Sequence, residues 1–312
     1  MGHKLAVIAG PTASGKSEIS LALAKRLDGE IISADSMQVY KGMDIGSAKL
    51  MPEKRQGIVH HLIDILEPTE EFNVSVFCKK AHEAVKEIQS RGHFPLVCGG
   101  TGFYTRAFLY GASFGQGETD PDLRSMLEAM AEEKGLSYIE NHLKQFDPVS
   151  ADLYHGNKKR IIRAIEYHRL TGLLLSDKNE EESRRAPLYD AVYFVLTLPR
   201  DILYRRIDDR VDRMMEEGLV EEVRRLIDSG VTRDMTSMQG LGYRQIYDHL
   251  TGSYDLDTAV DMIKQQTRHF AKRQLTWYRK EKNVTWVDLS EYQDDKNAPD
   301  KVAEYMQKVI NG

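Results

Sequence analysis

The segment GPTASGKS, from Gly10 to Ser17, follows a short apolar run and has the spacing G-x-x-x-x-G-K-S. Those residue types suit a phosphate. Glycines let the backbone turn so that its amides point inward, and a helix starting there adds the positive end of its dipole. Lys16 can reach an outer phosphate as a point charge, and the Ser17 hydroxyl suits Mg2+. The loop alone leaves open whether the phosphate is transferred, hydrolysed or released. A switch GTPase reads guanine with N-K-x-D, but NKKR at Asn157 lacks the acid. An ATPase motor follows an apolar strand with Asp-Glu, but PLVCGG carries no acid. EIISAD does end in one, Asp35, which could serve as a metal-side carboxylate or as a base.

Basic residues gather elsewhere. NKKRIIR, Asn157 to Arg163, sets Lys159, Arg160 and Arg163 at helical spacing, fit for polynucleotide phosphates. GLGYRQ, Gly240 to Gln245, joins a glycine turn to Tyr243 and Arg244, groups suited to stacking and phosphate contact. Arg268, Lys272 and Arg279 follow i, i+4, i+11 as one basic stripe along a helix, which suits either ordinary surface charge or contact with polynucleotide phosphates. His60 and His61 are adjacent in an extended run, so their rings point apart and no shared metal is expected.

Regular elements must hold these groups. KLAVIAG, EIISAD and HFPLVCGG read as strands, and SEISLALAKRLDG and VSVFCKKAHEAVKEIQSRG as helices closed by glycine. The alternation predicts an α/β fold, a doubly wound parallel sheet flanked by helices, with functional groups at the strands' carboxyl ends. Gly10, Asp35 and the GGTG of Gly99 to Gly102 fall there. GASFGQGETDP, Gly111 to Pro121, breaks the rhythm. The stretch from there to Thr171 has helical patterning and no convincing strand, and SDKNEEESRRAP, Ser176 to Pro187, reads as a second linker. AVYFVLTL resumes the sheet, followed by helices at Asp201 to Glu217, Leu219 to Ser229 and Asp257 to Lys280, and a strand, VTWVDL. The expected division is a P-loop catalytic core at 1–115 and 188–312 with an all-helical insertion at 116–187.

Bulk properties narrow the class. The net charge of −5 gives no global positive field, so any basic groove must be local. Two cysteines without a C-x-x-C pair argue against a zinc site or a disulfide framework and suit a reducing cytosol. The apolar run LAVIA is too short for a signal peptide, and AVYFVLTLP is too short to span a bilayer. A soluble, cytoplasmic protein without membrane association is expected.

Taken together, GPTASGKS, SADSMQVYKGMDIGSAK, VCGGTGFY, NKKRIIRAIE, RIDDRVDRMMEEGLVEEV, GLGYRQ and TRHFAKRQLTWYR resemble the bacterial tRNA dimethylallyltransferases, also called isopentenyl-diphosphate:tRNA transferases. The resemblance covers nearly the whole chain, in order. It implies transfer of the dimethylallyl group of dimethylallyl diphosphate to N6 of adenosine 37, beside the tRNA anticodon, with release of diphosphate. It implies that Gly10, Pro11, Thr12, Ala13, Ser14, Gly15, Lys16, Ser17 and Arg210 hold the diphosphate, with Mg2+ on Ser17. Lys16, Asp35, Thr101 and Arg210 are the implied catalytic set. The implied tRNA contacts are Asp35, Ser36, Met37, Gln38, Thr101, Arg124, Lys159, Arg160, Ile161, Ile162, Arg163, Gly240, Leu241, Gly242, Tyr243, Arg244 and Gln245. A monomer is expected.

The chemistry agrees with those residue types. Negative charge grows on the departing diphosphate, where amides, Lys16 and a cation would stabilise it. The attacking amine is poorly basic and needs a carboxylate to take its proton, a role that suits Asp35. Three other readings share the loop: a P-loop small-molecule kinase using ATP, a prenyltransferase acting on free adenine nucleotides, and a non-catalytic RNA-binding module. The basic insertion weighs against the first two, and the intact Lys16, Ser17 and Asp35 set weighs against the third.

Overall fold

The computed structural model describes residues 4–112, 120–292 and 295–312. The expected first linker falls largely on 113–119, which lie outside the described residues. The chain forms two compact units, one of residues 1–109 and 188–312 and the other of 110–187.

The described residues of the larger unit form six strands: β1 (Lys4–Ala9), β2 (Gly29–Ser33), β3 (His60–His61), β4 (Phe94–Gly99), β5 (Asp190–Thr197) and β6 (Val284–Asp288). All pairings are parallel, in the order β3-β2-β4-β1-β5-β6. In β1, Leu5 to Ala9 are all buried, which is why a central parallel strand reads as an unbroken apolar run. The register sets Ala9 beside Gly99 and Ser33 beside Cys98, so the loops after β1, β2 and β4 leave the sheet along one edge. The approach is close: a Cβ on Gly99 would lie 2.2 Å from the Ala34 carbonyl oxygen.

Helices cover the sheet: α1 (Lys16–Leu27), α2 (Val74–Ser90) and α3 (Gly102–Tyr110). Asn73 caps α2 by accepting from the amides of Ser75 and Val76. Helix α1 ends one residue short of the expected glycine: Asp28 takes the left-handed conformation at φ 48°, and Gly29 begins β2.

The smaller unit holds α4 (Pro121–Lys134), α5 (Leu136–Lys144), α6 (Pro148–Leu153), α7 (Lys158–Thr171) and α8 (Leu175–Arg184), and no strand among its described residues. Its own core includes Leu127, Ile139, Leu143, Ile161, Ile162 and Ile165. The expected second linker is mostly helix. Leu175 packs on that core, the Ser176 amide donates to Asp147, and Arg184 and Arg185 pair with Glu180 and Glu181 one turn back.

After β5 come α9 (Arg200–Glu216), α10 (Leu219–Asp228), α11 (Tyr243–Leu250), α12 (Leu256–Tyr278) and, beyond β6, α13 (Ala298–Asn311). Two of these lie outside the sequence reading. Helix α11 occupies what reads as a glycine turn, and α13 packs Val302, Ala303, Met306 and Ile310 into the same core as α1. Among the described residues no helix is long and apolar enough to cross a membrane.

Candidate active site

The phosphate loop turns between β1 and α1. Gly10 has φ 152°, and a Cβ there would meet the Leu196 carbonyl oxygen at 2.9 Å, so only glycine clears β5. Gly15, at φ 88°, supplies the left-handed residue that precedes α1. Pro11 has no amide to offer a phosphate; its carbonyl instead accepts from Lys16 Nζ at 2.6 Å and from the Ser14 amide at 3.3 Å. The lysine is thus folded across its own loop. Burial pulls its ammonium down to about 8; Cys98 and Asp35 oppose that pull and Arg210 adds to it.

Three charged side chains converge here from three elements. Arg210, on α9, donates from Nη1 to Thr12 Oγ1 at 3.3 Å, and burial lowers its guanidinium below the ordinary value while the Asp35 charge raises it. Asp35, just past β2, accepts the amides of Met37 at 2.8 Å and Gln38 at 3.3 Å, both on Oδ1. Its Oδ2 is not used by that turn. Lys16 feels the charges of both Arg210 and Asp35, and Arg210 feels that of Asp35.

The neighbouring loop is tied in from two sides. The Thr101 amide donates to the Ala34 carbonyl at 3.4 Å, and Thr101 opens α3 by accepting from Tyr104 and Thr105. Gln274, on α12, accepts from the Thr12 amide at 2.9 Å and donates to the Gly100 carbonyl at 2.8 Å. One buried amide therefore fixes the phosphate loop to the glycine loop after β4. Sequence reasoning missed it, since its partner Thr12 is 262 residues away.

Ser17 is exposed in the first turn of α1, and the described residues contain no group of three His, Cys, Asp or Glu able to hold a metal. This donor set fits a hard cation that takes most of its ligands from phosphate and water, as Mg2+ does. Burial pushes the thiols of Cys78 (to about 12) and Cys98 up, so neither is poised as a nucleophile.

The expected RNA residues divide by burial. In α7, Lys159 and Arg160 are exposed, and Arg160 also lies over the Tyr154 ring. Ile161 and Ile162 do not join them: their side chains form the core of the insertion, leaving nothing but backbone to meet a partner. Arg124 donates to Glu166 at 2.6 Å, and Arg163 lies 3.8 Å from the same buried carboxylate. GLGYRQ differs more. Tyr243 is fully buried with its hydroxyl on Glu222, so its ring offers no face to a base. Gln245 is buried too, and both it and Arg244 donate to Gln266. Leu241 and Arg244 are partly exposed, while Gly240 and Gly242 are buried. On α12, Arg268 pairs with Asp208 and Lys272 is exposed, as is Arg279, which caps the helix's C-terminus. His61 pairs with Glu30, and His60 bonds the Ile58 carbonyl.

A family model described as IPP transferase matches residues 38–281, and one described as isopentenyl transferase matches residues 3–71. The tRNA dimethylallyltransferase of Lachnoclostridium phytofermentans is 49% identical over 292 residues, covering 93% of each chain. That of Carboxydothermus hydrogenoformans is 48% identical over 289 residues, covering 92% of this chain and 93% of its own. Among solved structures, the tRNA isopentenylpyrophosphate transferase of Bacillus halodurans superposes with a TM-score of 0.74 at 42% identity, covering 99% of this chain and 97% of that one. A eukaryotic dimethylallyltransferase acting on tRNA superposes with a TM-score of 0.84 at 29% identity, covering 99% of this chain and 79% of that one.

Proposed function

The chain belongs to the IPP transferase family, and from that premise we infer that it is a prenyltransferase carrying a dimethylallyl group to tRNA. In full, the proposed reaction takes the group from dimethylallyl diphosphate to N6 of adenosine 37, beside the anticodon, and releases diphosphate. The observation that carries this reading is the meeting of Lys16, Arg210 and Asp35 around one phosphate loop.

The allylic C–O bond breaks with its electron pair leaving on the diphosphate. The start of α1, Lys16, Arg210 and loop amides other than those of Thr12 and Ser14, which bond Gln274 and Pro11, would face that growing charge, which is where electrostatic stabilisation acts. Mg2+ held at Ser17 would add charge neutralisation at the same oxygens. The N6 lone pair forms the new C–N bond, and the N6 proton passes to Asp35 Oδ2, the oxygen its own turn leaves unused. Thr101 and Gln38, from the loops after β4 and β2, are the residues proposed to meet a base drawn out of the anticodon loop.

Lys159, Arg160 and Arg163 of α7 are the proposed grip on the tRNA backbone, and the insertion as a whole is the proposed clamp. We place the enzyme in the cytoplasm as a monomer, a compartment that suits its free thiols. The test is direct: incubate the protein with Mg2+, dimethylallyl diphosphate and unmodified tRNA, and look by mass spectrometry for a C5H8 unit on adenosine 37. Phosphate transfer from ATP without prenylation would overturn the reading.

A further inference from the structure

The segment between β2 and β3 carries Asp35 and Gln38 but contains no α-helix of its own. It is held from outside, by α10 and α11. Glu222 of α10 is 2% exposed and receives three successive amides. Its Oε2 accepts from Asp44 at 3.0 Å and Ile45 at 2.8 Å, and its Oε1 accepts from Gly46 at 3.1 Å. The Tyr243 hydroxyl donates to the same Oε1 at 2.7 Å and accepts from the Ser47 amide at 3.1 Å. Gly46 lies against the tyrosine ring so closely that a Cβ there would be 2.6 Å from Cζ.

The fixed loop then holds the residues that matter. The Ser47 carbonyl accepts from Gln38 Nε2 at 3.3 Å, and Gln38 Oε1 accepts from Ser33 Oγ at 3.2 Å. The Gln38 amide is in turn bound by Asp35 Oδ1. On the far side, a Cβ on Gly240 would lie 2.7 Å from Met37 Sδ, so the GLGYRQ turn backs the same segment. None of these bonds touches the phosphate loop, which is braced by Gln274 and Arg210.

We propose that Glu222, acting with Tyr243, is a positioning residue that sets Asp35 and Gln38 for the incoming base, so that GLGYRQ serves this reaction as an internal brace. The inference rests on the tRNA reading above. Four donors converge on the two carboxylate oxygens. A glutamine of the same shape must turn its NH2 toward donors that need an acceptor, so the substitution probes the loop rather than the volume of the side chain.

Glu222→Gln and Tyr243→Phe are made in the full chain. For wild type and both variants, kcat and KM are measured for tRNA and for dimethylallyl diphosphate, and the affinity for inorganic diphosphate is measured by calorimetry. The proposal expects Glu222→Gln to lower kcat/KM for tRNA by about 10²-fold, the scale of a misplaced reacting group. The KM for dimethylallyl diphosphate and the diphosphate affinity keep their wild-type values. Tyr243→Phe shifts the same quantities in the same direction by less, and it decides the matter alone if Glu222→Gln does not fold. An unchanged kcat/KM for tRNA, or a diphosphate affinity that falls in step with it, overturns the proposal. A wild-type protein that does not prenylate tRNA overturns the functional reading itself, and the same assay shows this before any variant is compared.

Discussion

Asp35 holds its turn through Oδ1, which accepts the amides of Met37 and Gln38, and Oδ2 lies outside that turn; in the proposed reaction Oδ2 takes the N6 proton. Asparagine can keep the first role and lose the second. Asp35→Asn should therefore bind tRNA as the wild type does while kcat falls by about 10²–10⁴-fold, the usual contribution of a general base. Near-normal turnover would remove Asp35 from that role. Lys16 carries a pH signature. Its ammonium is pulled down to about 8 by burial, so in the free protein it loses its proton as pH rises through that value. A bound diphosphate holds the proton on, so affinity for inorganic diphosphate should fall above pH 8 by up to about tenfold per pH unit. Lys16→Met should abolish that dependence, and calorimetry from pH 7 to 9 reads it; an affinity in wild type indifferent to pH would contradict this. The phosphate loop and Asp35 were legible in the sequence because each is a local pattern. Glu222 and Gln274 were not, since their partners lie 176 and 262 residues away and a Glu in a charged helix looks like surface.

Elements that announce themselves do so through burial. Strand β1 is buried on both faces and its sequence is unbroken apolar, while Asn73 gives α2 its start by accepting two amides. Asn73→Ala should lower unfolding free energy by about 1 kcal/mol, checked by denaturant titration, with prenyl transfer retained. Other elements were hidden. Helix α8 is rich in charge, and its sequence resembles a linker because none of its residues is buried: Leu175 rests on the core, the Ser176 amide donates to Asp147, Asn179 donates to the Tyr154 hydroxyl and Lys178 lies over the Tyr167 ring. Tyr243 looks like an exposed stacking group because sequence cannot say which face of a short helix turns inward. The contact of Gly46 with that ring is testable. Gly46→Ala forces a methyl into a filled space and should destabilise by about 1–3 kcal/mol, read from the thermal midpoint with its calorimetric enthalpy. A neutral result would show that α11 gives way easily.

A molecule of net charge −5 that acts on a polyanion must concentrate its positive charge. The exposed cations of α7 are the proposed place, and each phosphate contact they make should contribute to the salt dependence of tRNA binding. Lys159→Ala with Arg160→Ala should flatten the slope of log affinity against log salt by about 0.7 per lost contact, with diphosphate affinity unchanged. An unaltered slope would move the grip elsewhere. A parallel sheet was legible from the rhythm of strands and helices, because that rhythm is set by chain-local periodicity, but the two-residue β3 was not among the five strands the sequence showed. In the proposed reaction the phosphate loop holds a leaving group rather than a group in transit. This is tested most directly by counting products in one reaction of wild-type protein, Mg2+, dimethylallyl diphosphate and unmodified tRNA. One diphosphate should be released for every dimethylallyl group found on adenosine 37. Phosphate appearing on an acceptor while the prenyl tail stays on its diphosphate would contradict it.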